Sequence, residues 1–303
     1  MKNTKLSSIT VGIPAYNEAE NIGNLLKNLL KQKNTKFFAK EIIISSDGSD
    51  DNTIAVINSF SEPKIKLIDN KDRQGAARGL NQIIQAAEGD ILVLLDADVR
   101  IKDSFFLEKI AISLKEKQAS LAGAYYAELK PRSLFAKVLN VSMQIKHRLF
   151  SSFNKGDNIY TCHGRARALA YNFYKKLHLP VSVGNDMYVY LKCKEFNLKY
   201  CYVPEAIVWY RLPETLKDHQ KQSVRFFSSE KEMERLFAPD FVRSFTRIPV
   251  GDILLAGMRS LPVILLHPFE LVFYLLLEVY LKLTSQFVRQ SQIWDISLSS
   301  KKL

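Results

Sequence analysis

The 303-residue chain lacks most of the features by which a sequence announces a function. Its three cysteines, Cys162, Cys193 and Cys201, stand in no paired spacing. That excludes a disulfide scaffold or a cysteine-built zinc site and fits a reducing compartment. No Gly-x-Gly-x-x-Gly follows the first apolar segment, and no P-loop lysine motif occurs. The dinucleotide fingerprint and the NTPase phosphate loop are therefore both missing. The residues before 9–13 are mostly polar and hold no apolar secretory stretch. There is no internal repeat and no low-complexity linker. The richest apolar region is broken by Pro262 and Pro268, so it falls short of the roughly 20 unbroken residues of a simple transmembrane helix. Acidic charge is the scarcer sign, 31 Asp+Glu against 43 Lys+Arg, a net +12. Such a surface suits polyanionic partners: phosphorylated substrates, anionic lipid or nucleic acid.

What is present centres on Ile91-Leu92-Val93-Leu94-Leu95-Asp96-Ala97-Asp98. Five apolar residues read as a strand buried on both faces. They run into two aspartates one residue apart, which period-two alternation puts on the same side. Ligands of open α/β sheets bind at the carboxyl ends of strands. Two carboxylates there suit a hard divalent cation, Mg²⁺ or Mn²⁺, completed by substrate phosphates.

Two similar units precede it. Residues 9–13 form a strand ended by Pro14, and Ala15-Tyr16-Asn17-Glu18-Ala19-Glu20-Asn21 opens a helix through Leu30. Residues 41–46 form a strand running into Asp47-Gly48-Ser49-Asp50-Asp51, followed by a helix over 53–60 and a strand over 65–68. Arg73-Gln74-Gly75-Ala76-Ala77-Arg78-Gly79-Leu80-Asn81 starts a further helix that ends at Gly89. Strands alternating with helices predict an α/β fold with a doubly wound, mainly parallel sheet. Acidic groups at successive strand ends can bond a ribose and a base edge and hold a cation beside a diphosphate.

These segments resemble family 2 glycosyltransferases of the GT-A fold over the first two hundred or so residues. Ile13-Pro14-Ala15-Tyr16-Asn17-Glu18 is similar to that family's opening motif, and Asp47-Gly48-Ser49-Asp50-Asp51 to its second nucleotide-contacting turn. Gly75–Asn81 and Asp96-Ala97-Asp98 resemble the helix start and metal motif that follow. The resemblance implies a nucleotide-sugar donor, by family habit a UDP-sugar, a divalent metal and inversion at the anomeric carbon. It puts Pro14, Tyr16, Glu18, Asp47 and Arg78 at the nucleotide, Asp96 nearer the ribose, and Asp98 as the more direct metal ligand.

Three later segments extend the resemblance. Tyr160-Thr161-Cys162-His163-Gly164-Arg165-Ala166-Arg167-Ala168-Leu169 resembles the Gly-x-x-x-Ala segment beside the donor sugar. A neutral His163 can approach a metal there, and Arg165 and Arg167 can offset diphosphate charge. Val183-Gly184-Asn185-Asp186-Met187 resembles the acidic motif that opens a helix, with Asn185 where glutamate is commoner. Asp186 is then the base that takes the acceptor proton; as a plain structural residue it would be an N-cap. In Gln222-Ser223-Val224-Arg225-Phe226, Phe226 replaces the tryptophan of a Gln-x-x-Arg-Trp motif. Gln222 and Arg225 face diphosphate or acceptor in this reading, and the departure speaks against a processive polymer synthase.

Between these segments, 105–117 reads as a helix, 120–126 as a strand, 131–153 as a long helix, 199–203 and 206–210 as two strands, and 214–227 as a helix. Composition changes after Pro249, which divides the chain into a catalytic domain over 1–248 and an apolar helical segment over 249–303. In 269–283, Glu270, Tyr274, Glu278 and Lys282 recur every four residues as a narrow polar stripe. The pattern fits a helix lying in a membrane interface or half of a re-entrant hairpin; a buried helical lid and a dimer surface are the alternative readings. Arg225, Lys231, Arg235, Arg243 and Arg247 lie just upstream and can meet anionic head groups.

The expectation is a metal-dependent inverting glycosyltransferase at the cytoplasmic membrane face, acting on a lipid or lipid-linked glycan acceptor and not on nucleic acid. Two rivals are a nucleotidyltransferase, whose Gly-rich, Arg-containing first loop is absent, and an inactive membrane scaffold that only binds nucleotide sugar.

Overall fold

A computed structural model describes residues 6–33, 35–181, 184–285, 298–301 and 303. Val183 of the Asp186 segment and the 286–297 part of the apolar segment lie outside the described residues. The first half runs β1 (Ser7–Ala15), α1 (Ile22–Leu30), β2 (Phe37–Asp47), α2 (Thr53–Asn58), β3 (Ile65–Asn70), α3 (Ala76–Ala86), β4 (Ile91–Leu95), α4 (Phe106–Glu116), β5 (Leu121–Glu128) and α5 (Leu134–Ser152). The second half runs β6 (Ala166–Ala170), α6 (Tyr171–Tyr174), α7 (Asn185–Glu195), β7 (Tyr200–Tyr210), α8 (Leu216–Leu236), α9 (Pro239–Thr246), α10 (Val250–Arg259), α11 (Leu261–Leu266), α12 (Pro268–Ser285) and α13 (Leu298–Lys301).

The seven strands form one sheet in the order β3-β2-β1-β4-β6-β5-β7. Only β6 runs against its neighbours: it is antiparallel to β4 and β5, and the other pairs are parallel. Every residue of β4 is buried. Its Ile91, Val93 and Leu95 pack with α1 and α4 on one face, and Leu92 and Leu94 with α3, α6 and α7 on the other. That two-sided burial is why the segment reads as a continuous apolar run. Close helix-to-sheet approach fixes Gly12 in β1, where an added Cβ would stand 2.3 Å from Ile83 Cγ2 of α3.

Two readings change. The two strands expected over 199–210 are one, β7. Val203 pairs with Ala124 and Ile207 with Tyr125, so the three residues between bulge out of register. The bulge absorbs Pro204, which has no N–H to give the ladder. The helix expected over 214–227 is longer, because Thr215 caps it by accepting from Asp218 N at 3.2 Å and the apolar face continues to Met233.

The segment after Pro249 is not set apart from the rest. Tyr274, Leu277 and Leu281 of α12 belong to the same buried cluster as Val138 and Leu139 of α5. The middle of the polar stripe of α12, Tyr274 and Glu278, turns toward α5, while Lys282 at its end is exposed. Glu278 lies 3.5 Å from Lys146 of α5 and accepts from the Tyr274 hydroxyl. The opposite, apolar face is bare: Phe269 is 85% exposed, and Leu265 and Leu266 of α11 are each 75% exposed.

Candidate active site

The carboxyl ends of β1, β2 and β4 converge with the starts of α3 and α7 and with one side of α8. Two adjoining cavities open there, of about 240 and 290 Å³. Both are lined by Pro14, Ala76, Asp96, Arg165, Gln222 and Arg225. The smaller adds Tyr16, Glu18, Asp47, Arg73 and Asp98; the larger adds Gly164, Arg167, Asn185, Asp186 and Phe226.

The smaller, acidic cavity is built from loops that brace one another. Asn17 adopts a left-handed φ of 53°. It is held there by its amide, which donates to Asp50 Oδ1 at 2.6 Å, and by its backbone N–H, which donates to Ser49 Oγ at 3.1 Å. The Glu18 N–H donates to Thr53 Oγ1 at 2.7 Å, and its carbonyl accepts the first N–H groups of α1. Asp47 accepts from Gln74 N and Gly75 N, both at 2.8 Å. It therefore fixes the turn into α3 as well as lining the cavity. Gly48 has φ +69°, and a Cβ there would stand 2.7 Å from Arg73 N. Only glycine lets the two loops meet this closely.

Asp96 and Asp98 both face the acidic cavity. Among the described residues no protein group hydrogen-bonds to either carboxylate. Burial, and then the neighbouring Asp98 charge, push Asp96 up to about 6. Burial and the same Asp98 charge push Glu18 up to about 7. Arg165 and Arg167 offset part of the Asp96 charge and Lys301 sits against Glu18, and an added cation would offset the remaining repulsion between Asp96 and Asp98. Among the described residues no three His, Cys, Asp or Glu side chains converge as a metal cage. Two carboxylates beside an open cavity suit a hard ion that takes its other ligands from phosphate and water.

The larger cavity is organised around Gly164. Its N–H donates to Asp186 Oδ2 at 3.2 Å. A Cβ on Gly164 would lie 3.7 Å from Asp96 Oδ2 and 3.9 Å from Asp186 Oδ2. The two carboxylates therefore face one point across the glycine. Asp186 is the second residue of α7, and Gly184 holds the N-cap position; the N-cap expectation for Asp186 is corrected. Gly184 also permits contact with α8, since a Cβ would stand 2.8 Å from Ser229 Cβ.

Arginines line the far wall. The Arg165 guanidinium stacks 3.7 Å above the Tyr210 ring, and its backbone carbonyl accepts from Asp96 N at 3.1 Å. Arg167, 2% exposed, directs an Nε without a protein partner into the interior, beside an equally unbonded Asn185 Oδ1. Gln222 and Arg225, one turn apart on α8, line both cavities.

Two expected residues are not brought here. His163 lines neither cavity: its Nε2 bonds the Ala124 carbonyl at 2.9 Å, and its ring packs on Tyr126. Burial, then the Arg165 charge, hold it well below the usual imidazole range and hence neutral. Arg78 lies in the first turn of α3, half-buried, and also lines neither. Arg73, outside the expected set, sits with its guanidinium 3.9 Å over the Tyr16 ring. Its position beside the Gly75 helix start was the available signal. Arg225 faces the cavities and so leaves the set of residues expected at lipid head groups.

A parallel-sheet fold with acidic strand ends and a carboxylate opening a facing helix defines the GT-A class. The chain belongs to glycosyl transferase family 2, whose model matches residues 10–177. It is 26% identical over 238 residues to poly-beta-1,6-N-acetyl-D-glucosamine synthase of Staphylococcus aureus, covering 76% of this chain and 56% of that protein. The chain thus spans about half the length of the curated relatives it matches. Among solved structures it resembles a mannosyltransferase from Pyrobaculum calidifontis in complex with GDP-Man and Mn²⁺, with TM-score 0.62, 16% identity, and 95% and 89% of the two chains covered. It also resembles TarS of S. aureus in complex with UDP-GlcNAc, with TM-score 0.52, 17% identity, and 74% and 66% covered. At these identities the structural likenesses establish the fold.

Proposed function

We propose that this chain is an inverting glycosyltransferase that moves a sugar from a nucleotide-sugar donor, a UDP-sugar in our reading, to a hydroxyl acceptor. The observation that carries the proposal is the pair of carboxylates, Asp96 and Asp186, facing one point across Gly164 where the two cavities join. The nucleoside diphosphate lies in the acidic cavity, against Pro14, Tyr16, Glu18 and Asp47. The acceptor enters the larger cavity, and its hydroxyl attacks the anomeric carbon as Asp186 takes the proton. Arg165 and Arg225, common to both cavities, stand where the diphosphate leaves and stabilise its charge. Asp98, with Asp96 beside it, would hold a divalent cation, which would supply charge neutralisation of the departing diphosphate. The similar mannosyltransferase in complex with GDP-Man and Mn²⁺ supports this reading by analogy.

We further propose that the acceptor is a lipid or lipid-linked glycan met at the cytoplasmic face of a membrane. Support comes from α10, α11 and α12, which leave many large apolar side chains exposed. Val250, Leu254, Met258, Leu265, Leu266 and Phe269 are all at least 60% exposed. Contiguous apolar surface of that kind marks an interaction site. Among the described residues no helix is long and apolar enough to cross a membrane; in our reading the face lies along the interface. Exposed Lys231, Arg235, Arg243 and Arg247 lie just upstream of it in the chain.

The test is a thermal-shift panel of UDP- and GDP-sugars with and without Mn²⁺, followed by donor turnover for the ligand that stabilises most. Stabilisation by a nucleotide sugar, dependent on Mn²⁺ and lost with EDTA, is the expected result. A protein stabilised by none, or one that binds but never turns donor over with any acceptor lipid, overturns the assignment.

A further inference from the structure

The short helix α13 ends at the acidic cavity, far in sequence from everything else that lines it. Ser300 and Lys301 are part of the cavity wall. The Lys301 ammonium lies 2.6 Å from Glu18 Oε1 and donates to the Tyr16 carbonyl at 2.6 Å and the Asn17 carbonyl at 3.2 Å. An ammonium has three protons, and these three acceptors use all of them. The Lys301 carbonyl in turn accepts from the Asn21 amide, whose nitrogen also donates to Glu18 Oε2 at 2.8 Å. The other end of the same turn is tied across the cavity mouth. The Ser299 N–H donates to Asp218 Oδ2 at 3.1 Å, and Ser299 Oγ accepts from Glu214 N at 3.1 Å. Asp218 is in the first turn of α8, the helix that carries Gln222 and Arg225.

We infer that residues 299–301 form a strap that completes the nucleotide site, with Lys301 as a positioning residue for the Tyr16–Glu18 loop. The inference rests on the glycosyltransferase reading and adds a wall that the sequence motifs do not contain. Lys301 does two things. It clamps the Tyr16 carbonyl and the carbonyl of the left-handed Asn17, adding to the Ser49 and Asp50 bonds that already hold the loop. It also sets a positive charge on Glu18, a carboxylate that would otherwise repel an incoming diphosphate. Because its three protons are engaged, the lysine does not itself reach for phosphate. It fixes the shape and charge of the wall against which the nucleotide rests. The strap joins the opening loop to α8, so the two sides of the cavity are held at one separation.

By linkage, whatever the docked strap adds to nucleotide affinity the nucleotide returns to strap docking. The experiment uses the purified full chain and UDP as probe, with Mn²⁺ present. Affinity is measured by titration calorimetry for the wild type, Lys301→Met and Lys301→Arg, beside the melting temperature of each without ligand. Lys301→Met should weaken UDP binding about tenfold, within the usual range of coupling between sites. Lys301→Arg, which keeps the charge, should lose less than half of that. Ser299→Pro, which removes the N–H given to Asp218, should weaken UDP in the same direction. A Lys301→Met protein with a lowered melting point but unchanged UDP affinity assigns the strap to folding alone and overturns the inference. Tighter UDP binding in Lys301→Met makes the strap a competing occupant and overturns it too. A wild type that binds neither UDP nor GDP removes the nucleotide site itself, whereas a wild type that binds and a variant that binds equally well remove only the strap.

Discussion

The cavity floor and the outer face of α10 to α12 depart from the ordinary partition of side chains in opposite ways. At the floor, Asp96 and Asp98 are carboxylates drawn inward beside one another, with Arg165 and Arg167 offsetting only part of their charge, and Glu18 is held against the Lys301 ammonium. On α12 the carboxylate of Glu278 is folded inward against Lys146, and phenylalanine and leucine are left outside. Each arrangement is costly in water alone: buried charge loses hydration, and bare apolar surface orders solvent. Each becomes favourable once a partner of matching chemistry arrives, a cation with a diphosphate in one case and an apolar surface in the other. The difference is in tolerance. A charge cluster fails when one oxygen is lost, whereas an apolar face degrades in proportion to the area removed.

The largest effect should therefore come from the cavity. Asp186→Asn keeps shape and removes the base, and turnover of the donor identified by the thermal-shift panel should fall by about 10² to 10⁴. UDP affinity should stay within a few-fold, because Asp186 lines the larger cavity and not the acidic one. A parallel loss of UDP binding would falsify the division of labour between the two cavities.

Next comes the outer face. Replacing Leu265, Leu266 and Phe269 together by serine removes three of its most exposed side chains. Full burial of each is worth roughly 1.5–3 kcal/mol. Even half of the lower value per residue predicts a loss of about 2 kcal/mol, more than tenfold in partitioning onto anionic liposomes. The melting temperature should hold or rise, since these positions contribute little to the core. If flotation is unchanged while a dimer dissociates, the face binds a second protein copy instead.

A smaller, local effect tests how the acidic cavity is assembled. Gly48→Ala forces a Cβ into a left-handed residue and against the Arg73 backbone at 2.7 Å. The cost should be roughly 2 kcal/mol of stability, read as a lower denaturant midpoint at unchanged slope. Because Arg73 covers Tyr16, UDP affinity should fall with it. An alanine variant of wild-type stability and affinity would show that the two loops do not depend on each other.

These contrasts also explain what was legible in the sequence. The β4 run, its two aspartates and the acidic turn after β2 could be placed because each depends on neighbours in the chain: apolar periodicity, a glycine that permits the turn, a helix start. Asp186, picked out by its resemblance to an acidic helix-opening motif, lines the larger cavity. Arg73 was passed over for Arg78 because only the folded loop shows which arginine meets Tyr16. Lys301 contacts Tyr16 across 285 positions, a pairing that no local pattern encodes. His163 carried the right chemistry for a metal, but β5 supplies the Ala124 carbonyl that engages it. Pro204 split β7 on paper because a bulge is decided by the partner strand. The stripe on α12 was visible as a period of four, yet its direction was not. Periodicity gives a polar face without saying whether water or a neighbouring helix lies against it.

That direction supplies the smallest effect and the sharpest test of the comparison. Were the stripe the part of α12 that meets head groups, Glu278 would be open to solvent and its charge would matter to lipid binding. Instead its carboxylate accepts from the Tyr274 hydroxyl and lies 3.5 Å from Lys146, with side-chain exposures of 29% and 36% for the pair. A partly exposed pair of this kind is worth about 1 kcal/mol or less. Glu278→Gln keeps the size and a hydrogen-bonding oxygen for Tyr274, and removes only the charge. Stability should drop by no more than that amount, and partitioning onto anionic liposomes should match the wild type, because the bare leucines and phenylalanines are untouched. A variant that instead floats several-fold more strongly would show that Glu278 had been repelling the anionic surface. The stripe would then face lipid, and the apolar face would have to be covered by protein.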